Sequence, residues 1–103
     1  MQRLMTRRGR IRFTNSKATR VGKGIKALRE RAGLSRKELA KKIGVGEQYI
    51  GLLEEGHEPE IERQTLEDIA EAVGVCRRGT LTDEQLINLF LYANKCEPPK
   101  LLP

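Results

Sequence analysis

Hydrophobic residues in the first half of the chain recur at helical spacing, in two runs that each end at a glycine. The first run, VGKGIKALRERA, predicts a helix over residues 21–32, with Gly33 as its left-handed C-terminal cap. The second run begins with a capping box from Ser35 to Glu38, whose side chains satisfy exposed amides at a helix start, and Gly44 ends it. The pattern therefore predicts two helices joined by a short turn.

The rest of the chain predicts three further helices. The third spans residues 47–55 after a GVG turn, and the fourth starts at a TLED cap and ends at Gly74. A polar, acidic connector over residues 57–65 separates these two helices. A TDEQ capping box opens the fifth helix, which continues as LINLFLYA. The predicted fold class is all-α with five helices and a basic N-terminal arm, in which RIRF is short enough to be a strand or irregular.

Charge is distributed unevenly along the 103 residues, whose formal net charge is +6. Residues 1–23 carry eight bases and no acid, which is +8, so the remaining residues sum to −2. A basic segment on a mildly acidic body is the usual charge pattern of a polyanion-binding arm, although a solubilising or disordered tail has the same composition. The candidate arm residues are Arg7, Arg8, Arg10 and Arg12.

Length and composition exclude several classes of protein. The 103 residues suffice for one small domain, and no stretch approaches the roughly 18 apolar residues of a membrane helix. The first residues lack the apolar run of a secretory signal, so we expect a cytoplasmic, nucleoid-associated protein. Cys76 and Cys96 have no metal or redox spacing, and free thiols are favoured over a disulfide. No metal, cofactor or small-molecule substrate is expected.

The second and third predicted helices have the sequence signature of a helix-turn-helix. That geometry requires a small residue at Ala40, a turn at Gly44 and an apolar plug at Ile50, and the sequence supplies all three. Residues 21–75 resemble the lambda-repressor/Cro (Xre) helix-turn-helix family in the strings VGKGIKALRERAGLS, KELAKKIGV, YI, LEEG and TLEDIAEAVGV. The resemblance covers about half of the chain.

The resemblance implies a fold, a division of the chain and a function. The chain divides into a basic arm over residues 1–20, a four-helix helix-turn-helix domain over 21–75, and a C-terminal helix and tail over 76–103. In this family the third helix enters the major groove of double-stranded DNA and dimers bind two half-sites. The expected function is that of a sequence-specific, repressor-like transcriptional regulator without catalytic activity.

Carried over residue by residue, the resemblance also implies contacts to DNA. The base-reading positions correspond to Gly46, Glu47, Gln48 and Leu52. Gln48 can pair with adenine, Glu47 can accept from the amino group of cytosine, and Leu52 can contact a thymine methyl. The phosphate candidates at and after the start of the second helix are Ser35, Arg36, Lys37, Lys41, Lys42 and Tyr49.

The third predicted helix departs from the family in three ways. Gly46 and Gly51 replace common hydroxyl residues, and a glycine inside a helix costs up to ~1 kcal/mol relative to alanine. His57 and Glu58 stand where the family has a base. We therefore expect the arm, which can enter a minor groove, and the second helix to supply most of the electrostatic affinity. The third helix would then discriminate between bases.

The fifth predicted helix has more apolar surface than one buried stripe requires, with seven apolar residues in eight positions. We expect this excess to form a homodimer interface. The alternative is additional core around the first helix. The candidate interface residues are Leu86, Leu89, Phe90, Leu91 and Ala93.

Other functions remain open at this point. A helix-turn-helix scaffold can serve as a protein-interaction adaptor, which the nine acids within residues 47–71 would suit. The basic arm alone would suit an RNA- or ribosome-associated factor. An enzyme is not expected, because His57 lies in a polar loop with no nucleophile motif nearby. Control of a regulator would come from concentration or from a regulatory protein partner.

Overall fold

The computed structural model describes residues 9–77, 79 and 81–95, and within that part of the chain it contains five helices and a two-stranded sheet. The elements in chain order are β1 Arg10–Arg12, α1 Asn15–Arg31, α2 Arg36–Ile43, α3 Glu47–Glu54, β2 Glu60–Glu62, α4 Arg63–Ala72 and α5 Asp83–Lys95. The prediction of a mainly helical fold with five helices is confirmed for this part of the chain, and the small sheet is an addition to it. Arg7, Arg8 and Cys96 lie outside the described residues.

Helix α1 begins at Asn15, well before the predicted start at Val21. Thr14 caps this helix, because its hydroxyl accepts a hydrogen bond from the backbone N–H of Lys17 at 3.2 Å. Ala18, in the additional turns, is buried in the hydrophobic core. Residues 15–20, which we expected in the arm, are therefore helical.

Two glycines bring α1 very close to the helices on either side. A Cβ on Gly22 would lie 2.7 Å from the carbonyl oxygen of Glu54 at the end of α3, and one on Gly24 would lie 2.6 Å from the carbonyl carbon of Phe90 in α5. Both distances are well inside van der Waals contact. Helix α1 is therefore packed backbone to backbone between α3 and α5, and glycine is required at both positions.

The hydrophobic core lies where α1, α2, α3 and α4 meet, and it includes both crossing residues of the predicted helix-turn-helix. Ala40 is buried at the crossing of α2 and α3, and Ile50 is fully buried between them. The other large, fully buried aliphatic side chains of these helices are Val21, Ile25, Leu39, Leu53, Leu66 and Ile69. Within each helix the buried residues recur at helical spacing, as the sequence predicted.

A ribbon of two short strands connects the start of the described chain to the segment after α3. The strands are antiparallel, with Ile11 opposite Ile61. Phe13 donates its backbone N–H to the carbonyl oxygen of Pro59 at 2.7 Å, and the side chains of Phe13 and Ile61 are buried. RIRF is therefore largely a strand, and the polar, acidic connector between α3 and α4 contains its partner.

Arg63 begins α4 and holds the start of α5 against it. The prediction that α4 starts at the TLED cap was wrong, because Thr65 lies within the helix and is buried. The Arg63 guanidinium pairs with Asp83, donates to the carbonyl oxygen of Leu81 at 2.6 Å and pairs with Glu67 at 3.2 Å. The predicted TDEQ capping box at the start of α5 is present, with hydrogen bonds of 2.9 and 3.1 Å.

Helix α5 packs along α1, and two of the expected dimer residues belong to this packing. Leu86 and Phe90 are fully buried within the chain's own core. This corrects the expectation for these two residues in favour of the alternative, additional core around α1, because a side chain buried in one chain has no surface for a second. Leu89, Leu91 and Ala93 are only partly buried against the core, so some apolar surface of α5 stays accessible.

Candidate nucleic-acid interface

Helices α2 and α3 are joined by a three-residue turn that sets their crossing. Gly44 ends α2 with a φ of 81°, a left-handed conformation that favours glycine, and its N–H donates to the carbonyl oxygen of Ala40 at 2.8 Å. Gly46 caps α3 in an extended conformation without a side-chain hydrogen bond. Ser35 and Glu38 exchange hydrogen bonds of 3.0 and 2.8 Å, so the predicted capping box of α2 is present.

The outward face of α3 is uncovered by the described part of the chain. Gly46, Glu47 and Gln48 are exposed, and Leu52 is 40% exposed, which is high for a leucine in the middle of a helix. These are the four residues predicted to read bases. Gly46 directly precedes α3 and the other three lie within its first two turns, so a groove of double-stranded DNA would be accessible to all four.

Tyr49 lies beside the exposed residues of α3, but its side chain is half-buried. Burial raises the pKa of the Tyr49 phenol, and the negative charges of Glu58 and Glu62 raise it further. Tyr49 is therefore less accessible to a phosphate than the exposed residues beside it.

The basic residues of α2 fall into two groups, those without an acidic partner among the described residues and one that is paired with acids of α3 and its cap. Lys37, Lys41 and Lys42 are exposed, and no described carboxylate lies within ion-pair distance of their amines. Arg36 instead donates from Nε to Glu54 at 3.0 Å and pairs through Nη2 with Glu55 at 3.6 Å. The hydroxyl of Ser35 accepts the N–H of Glu38 in the cap. The three lysines are therefore the α2 cations available to an anion.

Glu54, at the end of α3, is buried and accepts hydrogen bonds from two arginines. Arg29 of α1 donates to it from Nε at 2.6 Å and from Nη2 at 3.2 Å, in addition to the bond from Arg36. Arg29 also donates to the carbonyl oxygen of Leu34 at 2.8 Å. The hydrogen bond to Glu54 raises the pKa of Arg29. Sequence analysis missed Arg29, although its place four residues after Ile25 puts it on the buried face of α1.

The basic residues near the N-terminus are divided between the ribbon and α1. Arg12 pairs with Glu60 at 2.9 Å and Arg10 pairs with the same carboxylate at 3.7 Å. On the outer face of α1, exposed cations recur every three residues. From the sequence, these residues were expected in the arm or had no predicted role. These cations are Arg20, Lys23 and Lys26.

Among the described residues, no helix combines the length and the apolar composition of a membrane span. In the same part of the chain, no group of three or more histidine, cysteine or acidic side chains is arranged to hold a metal ion.

The family comparison agrees with this geometry. Residues 25–77, just over half of the chain, match a family profile described as helix-turn-helix. The matched segment contains α2, the turn, α3 and α4, whereas β1, the first half of α1 and α5 lie outside it. No curated protein and no solved structure is similar enough to the chain to count as a match.

Proposed function

Because the chain belongs to the lambda-repressor/Cro (Xre) family of helix-turn-helix proteins, which bind DNA, we propose that it is a sequence-specific, repressor-like transcriptional regulator. In this proposal α3 enters the major groove of double-stranded DNA and α2 crosses the backbone above it. The protein acts in the cytoplasm, at the nucleoid, and has no catalytic role.

The observation that carries the proposal is the exposed face of α3 next to the free lysines of α2. Gln48 has an amide suited to adenine, and Leu52 offers an apolar surface suited to a thymine methyl. Lys37, Lys41 and Lys42 stand on the preceding helix without acidic partners among the described residues. Readout and electrostatic affinity therefore come from adjacent helices.

The acids around α3 oppose DNA binding less than their number suggests. Glu54 is buried and engaged by two arginines, and Glu60 is paired with Arg10 and Arg12. Glu47 is the acid on the reading face itself, and it can accept a hydrogen bond from the amino group of a cytosine. A carboxylate at this position would also reject bases that have no donor there, so it contributes to specificity.

The test is a selection from random double-stranded DNA with the full chain, followed by binding to the enriched sequence over a range of salt concentrations. We expect the selection to enrich a defined sequence. The logarithm of the affinity for that sequence should fall steeply with the logarithm of the salt concentration. Gln48→Ala should relax preference at one base pair by about 1–3 kcal/mol. Glu84→Gln, an exposed change at the start of α5, is the matched control and should leave the preference unchanged.

Failure to enrich any sequence would refute the proposal. If the chain then still captured a protein through its acidic surface, the adaptor function would be supported instead. If binding moved to RNA and was abolished by removing residues 1–12, the RNA-associated function would be supported.

The proposal includes a homodimer, which would read two half-sites one helical turn apart. The residues left for such an interface are Leu89, Leu91 and Ala93, because the other two candidates are buried in the chain's own core. Leu91→Asp should shift sedimentation from dimer to monomer, and Asn88→Asp, on the exposed side of the same helix, should not. An unchanged mass for Leu91→Asp would exclude this surface.

A further inference from the structure

Arg36 holds a position at which the family resemblance predicts a phosphate contact, yet its guanidinium is turned into the protein. Its side chain is 36% exposed, while the carboxylate that it reaches, Glu54, is 1% exposed. Nε of Arg36 donates to Oε1 of Glu54 at 3.0 Å, and Nη2 lies 3.6 Å from Oε2 of Glu55. The first residue of α2 is thus joined to the last turn of α3.

The Glu54 carboxylate cannot be stably buried without these donors, since an unpaired buried charge is very costly. Arg29 supplies two hydrogen bonds and Arg36 supplies the third, so the two oxygens share three charge-assisted bonds. With Glu55 and with Glu30, which lies 3.9 Å from Arg29, three negative charges meet the two positive ones. The charge of Arg36 is therefore balanced inside the domain.

Gly51 explains how Arg36 reaches Glu54. A Cβ at position 51 would lie 3.1 Å from Nη1 and 3.6 Å from Cζ of Arg36, so the guanidinium lies directly over the backbone of α3. A larger residue would occupy the path of the arginine. The glycine in α3, which weakens the helix by intrinsic propensity, has a packing function that only the structure reveals.

We propose that Arg36 is a positioning residue that fixes the angle between α2 and the recognition helix α3, and not a phosphate contact. Lys37, the next residue, is exposed and has no acidic partner among the described residues, so it is the cation at this end of α2 that faces an anion. This inference rests on the proposed function, because the angle matters through the reading of bases by α3.

The DNA test compares Arg36→Gln, Arg36→Lys and Lys37→Gln with the wild-type chain, at a temperature where all four are folded. Each phosphate contact contributes about 0.9 to the slope of log affinity against log salt. We expect Lys37→Gln to lower the slope by about that amount and to keep sequence discrimination. Arg36→Gln should leave the slope unchanged. It should also lower the ratio of affinities for the selected site and for a single-mismatch site by roughly tenfold, which is the size of effect that one mismatched base pair has on affinity.

Arg36→Lys separates charge from geometry. A lysine restores the positive charge but has no guanidinium fork with which to bond Glu54 and Glu55 together. If positioning is the role, discrimination stays low in this variant. If phosphate contact is the role, the slope lost in Arg36→Gln returns in Arg36→Lys, and that result would overturn the inference. Lower thermal stability with unchanged discrimination would reduce Arg36 to a structural residue and would also overturn it.

A second measurement needs no DNA. In the wild-type background, Gly51→Ala should lower Tm, because the methyl group displaces the guanidinium that Glu54 holds. In the Arg36→Gln background, the same substitution should raise Tm, because alanine is the better helix former and no other described side chain lies within 4 Å of the new atom. The same sign in both backgrounds would contradict the geometry. A wild-type chain that selects no sequence overturns the proposed function, whereas the other contrary outcomes overturn this inference alone.

Discussion

The close packing of α1 against α5 makes Gly24→Ala the most informative stability variant. Alanine is favoured over glycine in a helix interior by about 1 kcal/mol, so helix propensity alone predicts stabilisation. The structure predicts the opposite. A Cβ at residue 24 would lie 2.6 Å from the carbonyl carbon and 3.0 Å from the Cα of Phe90, and these are backbone atoms of α5 that no rotamer change can move.

The size of the effect follows from the distance that α5 must retreat. Moving the Phe90 carbonyl carbon from 2.6 Å to an ordinary contact of 3.4 Å already requires a shift of about 0.8 Å, and the Phe90 carbonyl oxygen, which lies nearer still, requires a larger one. Overpacking of this kind costs about 1–3 kcal/mol. If α5 detached instead, exposure of Leu86 and Phe90 would cost about 1.5–3 kcal/mol each. After the propensity gain of about 1 kcal/mol is subtracted, overpacking leaves a net loss of up to about 2 kcal/mol and detachment leaves one of about 2–5 kcal/mol, so we expect a net loss of about 2 kcal/mol.

Urea and thermal unfolding followed by far-UV circular dichroism measure this loss. For a domain of this size, a loss of 2 kcal/mol should lower Tm by roughly 8–16 °C. Lys23→Ala, the exposed neighbour in the same helix, is the matched control and should stay within about 0.5 kcal/mol of wild type. A Gly24→Ala chain as stable as wild type, or more stable, would refute the packing of α1 on α5 described above.

Three further outcomes are expected. Ser35→Ala removes the capping hydroxyl of α2 and should lower the free energy of unfolding by about 1 kcal/mol in urea titrations, with an unchanged midpoint counting against the cap. The raised pKa of Tyr49 means that the folded chain keeps the phenol proton above pH ~10, where the unfolded chain loses it, so stability should fall as pH rises past that value. Tyr49→Phe should flatten this part of the pH–stability curve. Replacing Lys41 and Lys42 together with glutamine should lower the salt slope of DNA binding by roughly 1–2, and an unaltered slope would remove both from the interface.

The helix-turn-helix was predictable because its signals are local. Ser35 and Glu38 are three residues apart and report directly on a helix start, and Gly44 marks the turn by its own conformational preference. The buried positions Ala40 and Ile50 follow from the spacing that two crossing helices require. Each of these inferences needed only a few neighbouring residues, and the structure agrees with all of them.

The parts that sequence analysis missed depend on residues far apart in the chain. Arg12 and Glu60 are 48 positions apart, so no local pattern could pair β1 with β2 or show that the arm is partly a strand. The apolar residues of α5 were counted correctly, but whether Phe90 faces the chain's own core or a partner was decided by Gly24 in α1. The position of Arg36 in the family motif predicted a phosphate contact. Its observed partner is Glu54, which it reaches because Gly51 of α3 leaves room for the guanidinium.

The ribbon of β1 and β2 has a thermodynamic consequence for the positive charge near the N-terminus. The ion pairs of Arg10 and Arg12 with Glu60 lie at the surface, since the two arginine side chains are 60% and 80% exposed. Exposed pairs of this kind are weak. A polyanion can therefore compete with Glu60 for both cations by mass action, while the buried side chain of Ile61 keeps the ribbon in place.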